Sequence, residues 1–353
     1  MEMRQSFEMA TGIKSDHNTS DRQRKAMHLM NFKPRSWIHP LSVVITLLTA
    51  VACATAQEAA APANGDPQAG SAPASVAALR PEVHEIPMPG AGRFGGDLKM
   101  VTHVFRPPGA GPFPVVLFSH GRPSSDVERG KLSMPAPPVQ VRYWLAKGFV
   151  IVAPIRVGYG ATGGPDAEAN GGRFDSEGRC LSRPAFRSQA EAARNALATA
   201  LTWVRMQTWA DSGRIILEGE SVGGFATVAA AAQPQAGVLG YVNFAGGAGG
   251  NPDRAPGHSC DPEQITALYT EFGASTKVPS LWIYAENDQF WGPDVPKAWH
   301  AGFAKGGSRT TFVQTPPVQD GNGHSLVRRA QRLWAPHVDR FLESIASDKG
   351  NRS

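Results

Sequence analysis

The sequence lacks several features that define large classes of proteins. It contains no internal repeat, and it has no basic stripe of the kind that nucleic-acid-binding proteins carry. Its main apolar run, residues 41–52, is too short to span a membrane. His258, Cys260 and Asp261 lie close together, but no partner set with metal-ligand spacing accompanies them. We therefore expect no nucleic-acid partner, no metal or other cofactor, and no transmembrane span in the mature protein.

Residues 1–56 have the pattern of a leader with a secretory signal peptide. Lys33 and Arg35 precede the apolar run 41–52, and Ala54–Ala56 follows it as an A-x-A cleavage site. The leader carries seven Lys or Arg and four Asp or Glu, which is +3 of the net charge of +5 and leaves +2 for the remainder. The basic character of the chain therefore belongs mostly to the leader.

We expect the mature protein to be secreted or periplasmic. The polar stretch before the signal is long, so Met27 or Met30 is a candidate start. Cys53 offers an alternative as a lipoprotein cysteine. Residues 50–52, however, lack the leucine that bacterial lipoboxes usually carry three places before the cysteine.

Residues 57–80 are rich in Ala and Pro and predict a flexible linker, and 81–348 form the predicted globular domain. Strand and helix patterns alternate through this domain, which predicts an α/β fold with a mostly parallel central sheet and helices on both faces. The predicted strands are 100–105, 114–119, 149–153, 214–218, 238–244, 280–284 and 310–314. The predicted helices are 140–147, 185–209, 224–232, 264–272, 295–305 and 326–345.

Two long loop-rich segments, 158–183 and 245–277, interrupt the alternation. Loops of this length in a compact domain are usually functional or disordered. Each carries one of the two cysteines that remain after removal of the leader, Cys180 and Cys260. Because an exported protein meets an oxidising environment, we predict a Cys180–Cys260 disulfide that ties the two loops together.

The segment Gly219–Gly223 matches G-x-S-x-G, the nucleophile elbow of serine hydrolases. It follows the β-branched strand 214–218 and precedes the small-residue helix 224–232, which is the context that the motif requires. A turn this tight strains the serine backbone, and side chains on its neighbours would clash, so glycines flank it. Ser221 is therefore the candidate nucleophile.

A serine hydroxyl needs a base, and the base needs an anion to orient it. In this topology the chain order is serine, acid, histidine. Asp288 follows the strand 280–284 and is the candidate acid, with Glu286 as the alternative. His324, in the glycine-rich loop after the last strand, is the candidate base; His300 and His337 fall on predicted helices as packing or surface residues.

The tetrahedral intermediate of acyl transfer needs two donors for its oxyanion. One predicted donor is the backbone N–H of Val222, at the start of the helix after the elbow. The other is the backbone N–H of Arg122, because Pro123 has no N–H to give. For the Arg122 side chain we expect a solvated position in the loop, with contact to an anionic substrate group as the alternative.

These residues resemble the α/β-hydrolase superfamily, in particular its dienelactone-hydrolase-like and acylaminoacyl-peptidase-like branch. The matching segments are His120-Gly121, 158–164, the elbow, 285–288 and Gly323-His324. The sequence departs from the family in two places. Dienelactone hydrolases usually carry cysteine in the elbow where this chain has Ser221, and related chains often show D-x-R-G-x-G where this chain has the sequence of residues 154–160.

The resemblance and the residues together predict an exported serine hydrolase that cleaves carboxylic esters of small to medium size through an acyl-enzyme intermediate. A peptidase or amidase acting on a short peptide, and an acyltransferase, would use the same residues. A non-catalytic binding domain is the alternative from another class, and it has no need for a complete Ser221, Asp288 and His324 set.

Overall fold

The structure is a computed structural model that describes residues 79–319 and 321–350. The predicted leader, Cys53 and the linker up to residue 78 lie outside these residues. The strands are β1 (Glu82–Met88), β2 (Leu98–Phe105), β3 (Phe113–Ser119), β4 (Val150–Pro154), β5 (Ala210–Glu220), β6 (Val238–Phe244), β7 (Gly250–Asn251), β8 (Ala255–Ser259), β9 (Ser280–Ala285) and β10 (Thr310–Thr315). The helices are α1 (Asp126–Gly130), α2 (Pro138–Ala146), α3 (Phe186–Arg205), α4 (Val222–Ala231), α5 (Pro262–Ser275), α6 (Val295–Lys305), α7 (Leu326–Arg329) and α8 (Gln331–Gly350).

A central sheet of eight strands organises the described residues, in the order β1-β2-β4-β3-β5-β6-β9-β10. The pairs β1–β2 and β2–β4 are antiparallel, and the remaining neighbours are parallel. The mostly parallel sheet is as predicted. Because the strands from β4 to β10 in this order run the same way, their carboxyl ends meet at one edge, where ligands bind in such sheets.

Helices cover both faces of the sheet. On one face α3, α4, α5 and α6 bury an apolar cluster with alternate strand residues such as Leu217. On the other face α2, α7 and α8 do so with the intervening residues, such as Ile216. Side chains alternate between the faces along a strand, so a strand buried on both sides is apolar throughout, as 150–153 is. No helix in the described part of the chain is long and apolar enough to cross a membrane.

The structure differs from the predicted elements in several places, one of which is the short helix α1, which was not predicted. Strand β1 was not predicted, because only Ile86 and Met88 of this edge strand are buried and the apolar signal is weak. The second long loop contains the small hairpin β7–β8, which was not predicted, and the helix predicted at 264–272 is the longer, 14-residue α5, which starts where Asp261 caps the N–H of Gln264. The predicted closing helix is broken at Ala330 into α7 and α8.

Glu218 is a fully buried acid on the central strand β5. Its Oε2 accepts a hydrogen bond from the Trp144 indole at 2.8 Å, and its Oε1 has no partner among the described residues. Burial raises the pKa of this carboxyl from 4.5 to about 8, and the nearby Glu220 carboxylate acts in the same direction. The folded protein therefore holds Glu218 protonated at a pH where the unfolded chain releases the proton.

We predict that Glu218 makes the protein less stable as the pH rises from 4.5 to 8. Over this range folding binds a proton, so the free energy of unfolding falls by at most about 1.4 kcal/mol per pH unit from this group. Glu218→Gln keeps the shape of the side chain without the titration, so urea unfolding between pH 5 and 8 should show a shallower fall in stability. Glu286→Gln, at an exposed position, is the control. An unchanged slope in Glu218→Gln would contradict the prediction.

Candidate active site

Ser221 lies at the turn between β5 and α4, in a backbone conformation that L-residues rarely adopt. Its φ is 56° and its ψ is −127°. Its N–H donates to the carbonyl of Phe244 at 2.9 Å, and its carbonyl accepts from the N–H groups of Phe225 at 3.0 Å and Gly247 at 3.2 Å. These three backbone hydrogen bonds hold the strained turn in place.

Glycines are required on both sides of Ser221 for a steric reason. A Cβ at Gly219 would collide with the backbone of Gly223 and approach the Thr227 hydroxyl to 2.7 Å. A Cβ at Gly223 would collide with the carbonyl groups of Ser119 and His120. The strand-turn-helix geometry expected of the elbow is therefore present, and it brings helix α4 close to strand β3.

Asp288 follows β9 and is in contact with His324. Its Oδ2 lies 3.0 Å from His324 Nδ1, while its Oδ1 accepts the backbone N–H groups of Phe290 at 2.8 Å and Trp291 at 3.3 Å. The carboxylate is 2% exposed. A buried carboxylate with three donors is held in one orientation, and it places the proton of a neutral imidazole on Nδ1.

Glu286 does not take this place. Its side chain is exposed to solvent, and its backbone N–H donates to the carbonyl of Thr315. Asp288 is thus the carboxylate that the fold brings to the histidine. The loop of His324 reaches it because Gly323 lies against the backbone of Asn287, at a position where a Cβ would approach Asp288 N to 2.6 Å.

The imidazole of His324 is enclosed by two aromatic rings. Phe290 stacks on it with ring centres 4.0 Å apart, and Trp291 meets it edge-on at 5.4 Å. The indole of Trp291 is itself fixed by a 2.7 Å hydrogen bond to the carbonyl of Ala245. Because Asp288 occupies Nδ1, Nε2 is the ring nitrogen that remains for a reacting group. The sequence pattern did not single out these aromatic residues, although they lie two and three positions after the predicted acid.

Two cavities meet at Ser221. The smaller, of about 290 Å³, is lined by Ser221 together with His324, Glu220 and Arg328. The larger, of about 510 Å³, is lined by Ser221 together with Val222 and the loops 169–174 and 248–251. Arg122 and Phe290 border both cavities. The fold thus brings four of the predicted site residues to one place.

The two predicted oxyanion donors have no competing acceptor. Among the described residues, no carbonyl or side chain accepts the backbone N–H of Val222 or of Arg122. Val222 is the first residue of α4, where backbone N–H groups have no partner within the helix. Neither N–H group is therefore engaged by the described part of the chain.

The expectation of a solvated Arg122 side chain is wrong. The guanidinium is 16% exposed and donates to both carboxylate oxygens of Asp166, at 2.8 and 2.6 Å, and to the Tyr159 hydroxyl at 3.0 Å. Asp166 holds it by a two-point interaction that sequence spacing does not reveal, because the two residues lie in different loops. The side chain forms a wall of the cavities.

The structure contains the predicted disulfide between Cys180 and Cys260, whose Cα atoms are 5.2 Å apart. It joins the two long loops, and both contribute residues to the wall of the larger cavity. Two of the three neighbouring residues His258, Cys260 and Asp261 have a structural role, since Cys260 forms the disulfide and Asp261 caps α5. Within the described ranges, no group of three or more His, Cys, Asp or Glu side chains is arranged to hold a metal ion.

Several solved structures are similar to this chain in fold. A candidate dienelactone hydrolase from Klebsiella pneumoniae has a TM-score of 0.50 at 16% identity, covering 76% of this chain and 99% of that one. An esterase from Pyrococcus furiosus has a TM-score of 0.49 at 12% identity, covering 75% and 90%. An acylaminoacyl peptidase from Pyrococcus horikoshii has a TM-score of 0.47 at 14% identity, covering 75% of this chain and 41% of that one, so this chain spans less than half of the peptidase. No protein-family profile matches the chain, and no curated protein sequence does.

The sheet order, the elbow at the end of β5 and the likeness to the Klebsiella structure show that this chain has the α/β-hydrolase fold. The resemblance predicted from the sequence motifs is confirmed at the level of the fold.

We predict that Asp288, and not Glu286, orients His324. Asp288→Asn should leave the fold intact and lower kcat on an ester substrate by about 10⁴, because an amide favours the wrong imidazole tautomer. Glu286→Gln is the matched control, and its kcat should stay within about twofold of wild type, as expected for an exposed group with no contact to the histidine. If Glu286→Gln lowered kcat strongly while Asp288→Asn lowered it little, Glu286 would be the carboxylate that orients His324.

Proposed function

We propose that this protein is an exported serine hydrolase that cleaves carboxylic esters of small to medium size. The observation that carries the proposal is the joint placement of three groups. Ser221 lies on the strained turn, His324 borders the same cavity, and Asp288 lies 3.0 Å from the far nitrogen of the imidazole. A poor nucleophile, a base and an orienting anion are the parts that acyl transfer needs.

Acylation uses each of these groups once. Ser221 Oγ attacks the ester carbonyl while His324 Nε2 takes its proton, and Asp288 stabilises the imidazolium that forms. The N–H groups of Val222 and Arg122 stabilise the oxyanion. When the intermediate collapses, the bond to the alcohol oxygen breaks and the imidazolium returns its proton to that oxygen. The product is an acyl-enzyme on Ser221 and a free alcohol.

Deacylation repeats the sequence with water in place of the serine hydroxyl. His324 takes a proton from the water as it attacks the acyl carbon, and Ser221 leaves with that proton. An amidase or an acyltransferase would use the same residues with another leaving group or another acceptor. A panel of p-nitrophenyl esters, aminoacyl anilides and alcohol acceptors separates these three activities.

Export is part of the proposal. It is supported by the signal-peptide pattern in residues 1–56 and by the disulfide between Cys180 and Cys260, since disulfides persist in oxidising compartments.

The two cavities have different roles in this mechanism. His324 must reach the leaving oxygen, so the alcohol lies in the smaller cavity that it lines, and the acyl group occupies the larger one. In the smaller cavity the charges of Glu220 and Arg328 pair with each other.

In the larger cavity the charges do not balance. Asp166 is the carboxylate in its wall, and it pairs with Arg122. Arg129 also lies in the wall, 3.5 Å from the same carboxylate, whereas Arg173 and Arg254 make no ion pair with any described residue. The excess of positive charge favours an acyl group that carries an anionic substituent.

We predict that an alkyl fluorophosphonate labels Ser221. Peptide mass mapping should place the adduct on the elbow peptide of the wild type, and Ser221→Ala should give no adduct and a kcat lowered by several powers of ten, roughly to the residual from binding and the oxyanion hole. Ser212→Ala, at an exposed position near the start of β5, should label like the wild type. Turnover near the wild-type rate in Ser221→Ala would contradict the assignment of Ser221 as the nucleophile.

We predict a preference for an acyl chain with a terminal carboxylate. Mono-p-nitrophenyl adipate should show a kcat/KM about tenfold above that of p-nitrophenyl hexanoate, with the ratio falling as salt is added. The double variant Arg173→Gln/Arg254→Gln should lose this ratio and leave hexanoate hydrolysis unchanged. Arg183→Gln, an arginine that is 83% exposed, is the control. Equal rates for the two esters in the wild type would contradict the prediction.

A further inference from the structure

His120 is a buried residue directly before the predicted oxyanion loop, and both of its ring nitrogens are engaged. Its Nδ1 lies 2.7 Å from the carbonyl oxygen of Gly121. Its Nε2 lies 3.1 Å from the backbone nitrogen of Arg156, two residues after the end of β4. The ring also meets Tyr159 edge-on, with centres 4.7 Å apart. The imidazole therefore has one position in the fold.

These two contacts fix the tautomer of the ring. The backbone N–H of Arg156 can only donate, so Nε2 of His120 must be the accepting nitrogen. The carbonyl of Gly121 can only accept, so Nδ1 must carry the proton. A proton on both nitrogens would set two donors against each other at Nε2, and burial together with the Arg156 guanidinium holds the pKa of this imidazole well below its usual range.

The hydrogen bond to the Gly121 carbonyl also fixes the direction of the next backbone N–H, that of Arg122. The carbonyl of Gly121 and the N–H of Arg122 belong to one planar trans peptide, in which the two groups point in opposite directions. A donor that holds the Gly121 carbonyl on one side therefore aims the Arg122 N–H to the other side. Gly121 itself lies against the elbow, because a Cβ at this position would lie 3.3 Å from the Ser221 Cβ.

The Arg156 side chain holds the preceding peptide in the same way. One guanidinium nitrogen, Nη1, donates to the carbonyl of His120 at 2.6 Å and to the Ser119 hydroxyl at 2.9 Å. Its charge is balanced by Glu168, which accepts at 2.6 and 3.0 Å, and both side chains are buried. The two carbonyl groups before the Arg122 N–H are thus both fixed, one by each residue.

We propose that His120, with its tautomer set by Arg156, is a positioning residue that aims the Arg122 N–H at the oxyanion. The proposal rests on the proposed function of Ser221, since an oxyanion forms only if acyl transfer occurs. His120 does not touch the substrate in this account. It acts through the Gly121–Arg122 peptide.

The tautomer is tested on the wild-type protein without any activity measurement. Nitrogen-15 NMR of the histidine rings at neutral pH should show His120 with a protonated Nδ1 and an unprotonated Nε2. The resonance is assigned by its loss in His120→Asn, or by selective labelling where that variant does not fold. A proton on Nε2 would overturn the proposal, because Nδ1 could then not donate to the Gly121 carbonyl.

Two amide variants separate positioning from simple packing. The side-chain amide of asparagine reaches the place of Nδ1, so His120→Asn retains a donor to the Gly121 carbonyl. His120→Gln reaches the place of Nε2 and satisfies the Arg156 N–H but not that carbonyl. We expect His120→Gln to have a kcat about 10- to 100-fold below that of His120→Asn, with KM within about twofold, short of the 10²–10³ that loss of a whole oxyanion donor costs.

A transition-state analogue sharpens this comparison. The affinity for a trifluoromethyl ketone should fall in His120→Gln by the same factor as kcat/KM, because the analogue presents an oxyanion. Thr162→Val, which removes hydrogen bonds from the neighbouring loop, should lower Tm without this loss. A His120→Gln variant as active as His120→Asn would overturn the proposal, and the NMR result decides if neither variant folds. A wild type that hydrolyses no ester and is not labelled by fluorophosphonate would instead refute the proposed function.

Discussion

The candidate site depends on the positive φ of Ser221. A non-glycine residue in this conformation costs on the order of 1–3 kcal/mol, so it persists only where the surroundings determine it. Here strand β6 supplies an acceptor in Phe244, the first turn of α4 supplies a donor in Phe225, and the loop after β6 supplies a second donor in Gly247. The same turn starts α4 at Val222. One strained residue therefore places both its own hydroxyl and the unpaired N–H of Val222 at the edge of the sheet.

Parallel strand order explains why residues distant in sequence meet at this turn. Strands β3, β5, β9 and β10 run the same way, and one predicted group lies in the segment that follows each of them. These groups are Arg122, Ser221, Asp288 and His324. The two cavities at this edge differ in charge, because Glu220 and Arg328 neutralise each other in one while arginines exceed carboxylates in the other. In the proposed mechanism, the sheet and the elbow position the catalytic residues, and the two long loops select the acyl group.

The site features that were predicted from the sequence are those that local backbone geometry determines. The elbow, the order serine, acid, histidine and the glycine before His324 follow from short motifs, and the structure brings these residues together. The Cys180–Cys260 disulfide was also predicted, from the two cysteines of the domain, but the other side-chain contacts between distant segments left no such signal. Asp166 binds the Arg122 side chain although 44 residues separate the two in sequence, and Arg156 donates to the carbonyl of His120, 36 residues earlier. Edge strand β1 was missed for a related reason, since it is held by pairing with β2 and buries little of its own surface.

The central claim is that Ser221 is a nucleophile with an oxyanion site formed by the Val222 and Arg122 N–H groups. A crystal structure of the protein after reaction with an alkyl fluorophosphonate tests it most directly. We expect a phosphorus–oxygen bond to Ser221 Oγ and a phosphoryl oxygen within about 3 Å of both backbone nitrogens, the usual hydrogen-bond distance. An unmodified Ser221, or a phosphoryl oxygen that points away from these two N–H groups, would contradict it.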